Sequence, residues 1–197
     1  MSNIIKEFES RVMLTNDEYM EIVSFYMKLF PEHHFLRNVN TYFDSDDYLL
    51  KKKHITLRVR VINEVKAELT LKIKGDNGDE EINDDITLKE VDLLLNKEVF
   101  PDGEVKNYLL NLSYPLSVYK QIVTLYNRRL EIKYDDYLLV IDKNVYNDIT
   151  DYNLEIESSD INSAKKIMAQ YVERFNLSLA HQKYIGKAHR AIDSTIK

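Results

Sequence analysis

Five stretches of this chain alternate charged with aliphatic residues, and the charges are sorted by sign. Successive side chains on a strand point to opposite faces. Over residues 5–11 this puts Glu7, Glu9 and Arg11 on one face, with Phe8 and Val12 on the other. Arg58 and Arg60 share a face opposite Leu57, Val59 and Val61, and Glu68, Thr70, Lys72 and Lys74 oppose Leu69, Leu71 and Ile73. Arg129, Glu131 and Lys133 oppose Leu130 and Ile132, and Glu155 and Glu157 oppose Leu154 and Ile156. The simplest reading is a half-buried antiparallel sheet with its charged face in water. That reading leaves the sorting unexplained, because a solvated face mixes signs. Here two strands present paired acids, and two or three present paired bases.

The alternative is a sheet curled with its charged face inward and its aliphatic face under helices. A lumen of both signs is too costly to stay empty and dry, so it calls for water, metal and a polyanion. Neighbouring carboxylates stay ionised when a cation sits between them, either a divalent metal or an arginine or lysine. Paired carboxylates suit Mg²⁺ or Mn²⁺, which prefer oxygen ligands. Arginine and lysine suit phosphate oxygens. Together they make the chamber that phosphoryl transfer needs.

The covering helices are legible. Thr15 and Glu18 form a capping box ahead of Tyr19, Ile22, Val23, Tyr26, Leu29 and Phe30, in a helix predicted to end before Pro31. Thr87 and Glu90 form a second box ahead of Val91, Leu94 and Leu95. Further helices are expected over 104–112, from Ala164 to Phe175, and over 183–192. Strands are expected at 38–44, 122–133, 137–142 and 152–157, with a turn at 76–79. Residues 80–86 read as a short strand or a loop. Lys51, Lys52 and Lys53 read as a solvated basic loop, and the 14 tyrosines as mostly core edge and sheet exterior.

With 197 residues and no Pro, Gly or Ser linker, a single domain over 1–197 is expected. The chain has no cysteine, which removes thiolate nucleophiles and thiolate metal sites. A net charge of -6 argues against nucleic acid or an anionic membrane as partner, but leaves room for a basic cavity. No apolar run reaches the length of a membrane span, and the N-terminus carries no signal segment. The expected setting is the cytoplasm.

The run Glu7-Phe8-Glu9-Ser10-Arg11 resembles the Glu-x-Glu-x-Lys motif of the CYTH group of triphosphate tunnel metalloenzymes. Arg11 stands where that family has lysine, which keeps the charge but removes a proton donor. The similarity continues in order through 40–44, Leu57-Arg58-Val59-Arg60, Leu69-Thr70-Leu71-Lys72, Arg129, Leu139-Val140-Ile141-Asp142 and 151–157. It ends at Gly186-Lys187-Ala188-His189-Arg190-Ala191, where Lys183 competes for the place of the late lysine.

The resemblance implies an α+β fold: a closed antiparallel eight-stranded β-barrel, a tunnel with a charged interior and helices packed outside. It implies Mg²⁺- or Mn²⁺-dependent hydrolysis of inorganic triphosphate, thiamine triphosphate or a nucleoside triphosphate, through attack of water on the terminal phosphorus. Glu7, Glu9, Glu155, Glu157 and Asp142 would hold the metal. Arg11, Arg58, Arg60, Lys72, Lys74, Arg129, Lys183, Lys187 and Arg190 would meet the phosphates, with Glu7, Glu9, Glu157 and Lys187 as the catalytic set. Glu68 and Glu131 fall outside the family's motifs and read as ion-pair partners of neighbouring bases. The alternatives are adenylate cyclase-like conversion of ATP to cyclic AMP and pyrophosphate, and binding of polyphosphate or nucleotide without turnover. The acting form would be a monomer or homodimer.

Overall fold

The computed structural model describes residues 4–75, 79–112, 115–180, 182 and 185–196, the side chains of 4–7 excepted. In chain order the elements are β1 (Ile4–Leu14), α1 (Asn16–Leu29), β2 (Leu36–Asp44), α2 (Leu49–Lys52), β3 (Ile55–Ile62), β4 (Lys66–Ile73), β5 (Asp79–Ile86), α3 (Leu88–Lys97) and α4 (Glu104–Asn111). A short 3-10 turn (Leu116–Val118) leads to β6 (Lys120–Lys133), β7 (Tyr137–Tyr146), β8 (Ile149–Ser158), α5 (Ile161–Arg174) and α6 (Lys187–Asp193). The ambiguous acidic stretch 80–86 is therefore a strand, β5. The predicted turn at 76–79 falls largely outside the described residues.

The chain forms two compact units: Met1–Lys6, Asn38–Leu125 and Lys187–Lys197 in the first, Glu7–Arg37 and Tyr126–Gly186 in the second. In the first, β2, β3, β4 and β5 pair antiparallel in that order, with Arg58 opposite both Tyr42 and Thr70 and Lys72 opposite Glu81. Its aliphatic face carries Leu57, Val59, Leu69 and Leu71, buried with Val91 and Leu94 of α3 and Val105 and Leu109 of α4. Burying each such side chain contributes roughly 1.5–3 kcal/mol. Helix α3 starts where the second capping box predicts, with both box hydrogen bonds formed at Thr87 and Glu90. Helix α4 has no side-chain cap from the residue before it. Asp84 of β5 supplies one instead, accepting from the Glu104 and Val105 backbone N–H groups at 3.0 and 2.9 Å.

In the second unit, β1 pairs with β8 and β8 with β7, all antiparallel. Leu139, Ile141, Leu154 and Ile156 meet Tyr19, Ile22 and Tyr26 of α1 and Ala164, Met168 and Tyr171 of α5. The capping box at Thr15 and Glu18 is formed, and α1 ends at Leu29, ahead of Pro31.

The expected antiparallel strands and covering helices are present. The closed barrel is narrowed to what each unit is by itself, an open, curled half-barrel. Either unit has too few strands to close, since about eight are needed to enclose side chains. Three local expectations are corrected. The last helix starts at Lys187, not 183, because Ile185 and Gly186 are not helical. Lys51 and Lys52 lie in α2, where Asp44 accepts backbone N–H groups from Leu50 and Lys51 and Lys51 pairs with Asp193. Tyr19, Tyr26, Tyr42, Tyr119 and Tyr146 are buried outright rather than at the core edge. Among the described residues, no helix is long and apolar enough to cross a membrane.

Candidate functional site

The polar face of the second unit gathers an acidic cluster. Antiparallel register sets Glu9 of β1 against Glu157 of β8, and Arg11 against Glu155. One carboxylate oxygen each from Glu9, Glu155 and Glu157 lies within 4.8 Å of the others. Like charges opposed across a ladder destabilise it unless a cation intervenes. Arg11 is that cation, ion-paired to Glu9 through Nη2 and donating from Nε to Glu155 Oε1 at 2.6 Å. Burial works against its charge, but Glu155 and Glu9 outweigh burial and raise its pKa above the arginine range.

A second guanidinium backs the cluster. Arg129 of β6 donates from Nε and Nη2 to the two Asp142 oxygens, both at 2.9 Å, and from Nη2 to Glu155 Oε2 at 3.3 Å. Its Nη1 reaches Glu131 at 3.3 Å. Burial again opposes the charge, and Asp142, Glu155 and Glu157 raise the pKa well above the usual value. Asp142, expected among the metal ligands, accepts from Arg129 with both oxygens. Arg129, expected on phosphate, is itself enclosed by acids. Glu131 is an ion-pair partner, as its position outside the motifs suggested.

Behind Asp142 runs a buried amide ladder. Asn153 reaches Asp142 at 3.5 Å, Asn144 donates to Asn153 and to Asp151 at 2.9 Å, and Asn127 donates to Asn144 at 3.0 Å. Tyr146 closes it on Asp151 at 2.7 Å. None of these asparagines was among the expected site residues, although Asn153 lies in the 151–157 match. Their signal was present, since each shares strand parity with Arg129, Asp142 or Glu155.

The polar face of the first unit is basic but not bare. Arg58 and Arg60 share Glu68, at 3.4 and 3.2 Å, which accounts for that glutamate as an ion-pair partner. Arg58 also donates to Thr70 at 3.2 Å, and Arg60 to Asn40 at 3.0 Å. Lys72 lies 3.3 Å from Glu81 and 3.5 Å from Asp79. Glu81 was also missed, because β5 was not clearly a strand in the sequence. Burial would push its carboxyl up, but Arg58, Lys72 and Arg60 together hold it below the ordinary glutamate value. Lys74 sits just past the end of β4 and is exposed. On α6, Lys187 is half-buried and Arg190 buried. Glu7 lies in β1 with its side chain outside the described set, and Lys183 is outside the described residues.

The CYTH domain family matches residues 6–183. A Bacillus subtilis protein called "Putative triphosphatase YjbK" is 32% identical over 171 residues, 87% of each chain. A Bacillus halodurans crystal structure, described as "a putative adenylate cyclase", is similar with a TM-score of 0.83 at 29% identity, over 95% of this chain and 97% of that one. A Hippeastrum protein, described as a "putative adenylyl cyclase" with a dominant triphosphatase activity, shares the fold with a TM-score of 0.74 at 17% identity, over 95% of both chains.

Proposed function

The chain belongs to the CYTH domain family, and on that premise we propose that it hydrolyses a triphosphate with the aid of a divalent cation. The observation that carries the reading is the convergence of Glu9, Glu155 and Glu157, three carboxylate oxygens within 4.8 Å of one another. Such an all-oxygen donor set fits Mg²⁺ or Mn²⁺ and no thiolate-seeking metal. Glu9, Glu155 and Glu157 would hold the ion, with Glu7 the further candidate on β1. When bound, the ion would offset phosphate charge and acidify water.

The chain's own residues do the rest. Arg58 and Arg60 present guanidinium groups that fork onto phosphate oxygens, and Lys72 adds a point charge. Glu68 and Glu81 hold these bases in place before substrate arrives. Arg129 holds buried Glu155, and the asparagine ladder braces the Asp142 on which Arg129 rests. Lys187 and Arg190 of α6 complete the cationic set. Water attacks the terminal phosphorus, its bond to the bridging oxygen breaks, and inorganic phosphate leaves with the shortened chain as the other product. The reading takes the closed eight-stranded tunnel as the acting form, one catalytic domain in a cytoplasmic setting.

The name borne by the 29% identical Bacillus halodurans structure favours a second reading, cyclisation of ATP with release of pyrophosphate. One experiment separates the two. Inorganic, thiamine and nucleoside triphosphates are each incubated with Mg²⁺, Mn²⁺ or EDTA, and phosphate and pyrophosphate are read separately. Phosphate release that EDTA abolishes is the expected result. Pyrophosphate with cyclic nucleotide supports cyclisation, and no turnover of any substrate overturns both.

A further inference from the structure

Both oxygens of Glu155 are already taken by cations of the chain. Arg11 Nε holds Oε1 at 2.6 Å, and Arg129 Nη2 approaches Oε2 at 3.3 Å. Arg11 also pairs with Glu9 through Nη2. Two of the three carboxylates that converge here are thus bridged by one guanidinium. A metal ion at this cluster would draw on the same carboxylates, and it and the guanidinium repel each other at close range. Arg129 is pinned on Asp142 by two further hydrogen bonds, so Arg11 is the one that can yield. Gly186 adds no side chain beside it: apart from its own chain neighbours, the sole heavy atom among the described residues within 4 Å of a Cβ built on Gly186 is Arg11 Nη1, at 3.7 Å.

We propose that Arg11 is a tethered competitor of the metal, displaced from Glu9 and Glu155 when the ion binds and then available to the phosphate chain. The inference rests on the metal-binding reading above and adds a direction of coupling to it. A displaced guanidinium keeps its charge and needs another anion, and a triphosphate supplies one. Metal and substrate therefore bind cooperatively, and by linkage each strengthens the other by the same factor. Arginine suits this part better than lysine, because its planar fork engages Glu9 and Glu155 at once, whereas an ammonium is a single point charge.

The test uses metal-stripped full-length protein, the variants Arg11→Ala and Arg11→Lys, and two measurements. Calorimetric titration with Mn²⁺ alone should show both variants binding the ion more tightly than the parent, Arg11→Ala by about tenfold or more and Arg11→Lys by less. Binding of non-hydrolysable imidotriphosphate is then measured with and without saturating Mn²⁺. Adding metal should tighten that binding by a larger factor in the parent than in Arg11→Ala. With metal, the parent should bind it more tightly. Arg11→Lys keeps a positive charge in the cluster, so it covers the case in which Arg11→Ala does not fold. If the parent binds Mn²⁺ but neither variant binds it more tightly, the competitor role is wrong and the metal site stands. If the parent binds no Mn²⁺ with or without the anion, the metal reading itself falls and this inference falls with it.

Discussion

Arg129 and Asp142 form a two-point ion pair, Nε to Oδ1 and Nη2 to Oδ2 both at 2.9 Å, with Asp142 fully buried. The pair joins β6 to β7 and carries Glu155 on its outer edge through the third contact of the same guanidinium. Removing one partner leaves a charge stranded without water. Arg129→Ala is expected to lower unfolding stability by about 3–5 kcal/mol. Replacing both, as Arg129→Met with Asp142→Leu, should lower it by less, because Asp142 is no longer stranded and Glu155 keeps Arg11. Urea denaturation followed by circular dichroism compares them, and a double variant as unstable as Arg129→Ala would contradict the account.

Arg58 and Arg60 share one glutamate, and in the proposed reaction each also meets a phosphate. Loss of one such cation should act on the reaction more than on the fold. Arg58→Ala is expected to reduce kcat/KM for the best triphosphate by about 10²–10³-fold. Glu68→Gln, which loosens the bases without removing them, should reduce it less. Phosphate release gives the rates, and thermal unfolding confirms that both variants are folded.

Gly103 stands directly against the Asp84 carboxylate, and a Cβ built there would collide with it. Asp84 can swing aside, but only by releasing the Glu104 and Val105 N–H groups at the start of α4. Gly103→Ala should therefore lose roughly what a lost cap loses, about 0.5–2 kcal/mol. Asp84→Ala should lose a similar amount, and the double variant no more than Asp84→Ala alone. Additive losses in denaturant titrations would mean that the collision acts elsewhere.

His189 on α6 is held below the ordinary histidine pKa of 6.5, first by burial, which outweighs the opposing pull of Asp193, and further by Lys74, Lys51 and His54. The folded state thus favours the neutral ring. Above the unfolded value both states are neutral, and the group contributes nothing to pH dependence. As pH falls below that value, the unfolded chain takes up a proton first, and stability is lost until the folded pKa is passed. His189→Gln should flatten the stability profile as pH falls below the ordinary histidine value of 6.5. Thermal melts across that range check it, and an unchanged slope would assign the dependence to other groups.

Most of the secondary structure was legible because its signals are local. The boxes at Thr15 and Thr87, Pro31 beyond α1 and the period-two alternation each act within a few residues. The same alternation put Glu9, Arg58, Lys72, Glu155 and Glu157 each on the charged face of its own strand. Where local signal was weak, the reading weakened with it. The acidic run 80–86 has too few aliphatic residues to declare a strand, so Glu81 stayed out of the candidate site.

The amino-acid sequence alone determined which side chains share a face within a strand, because that depends only on strand parity. Tertiary structure alone decided who stands opposite whom. Arg11 meets Glu155 from 144 positions away, and Arg129 takes Asp142 for itself. Those partnerships follow from the register of hydrogen-bonded ladders between distant strands. One residue of slip would turn every side chain of a strand to the other face, and no local pattern encodes the choice of neighbour.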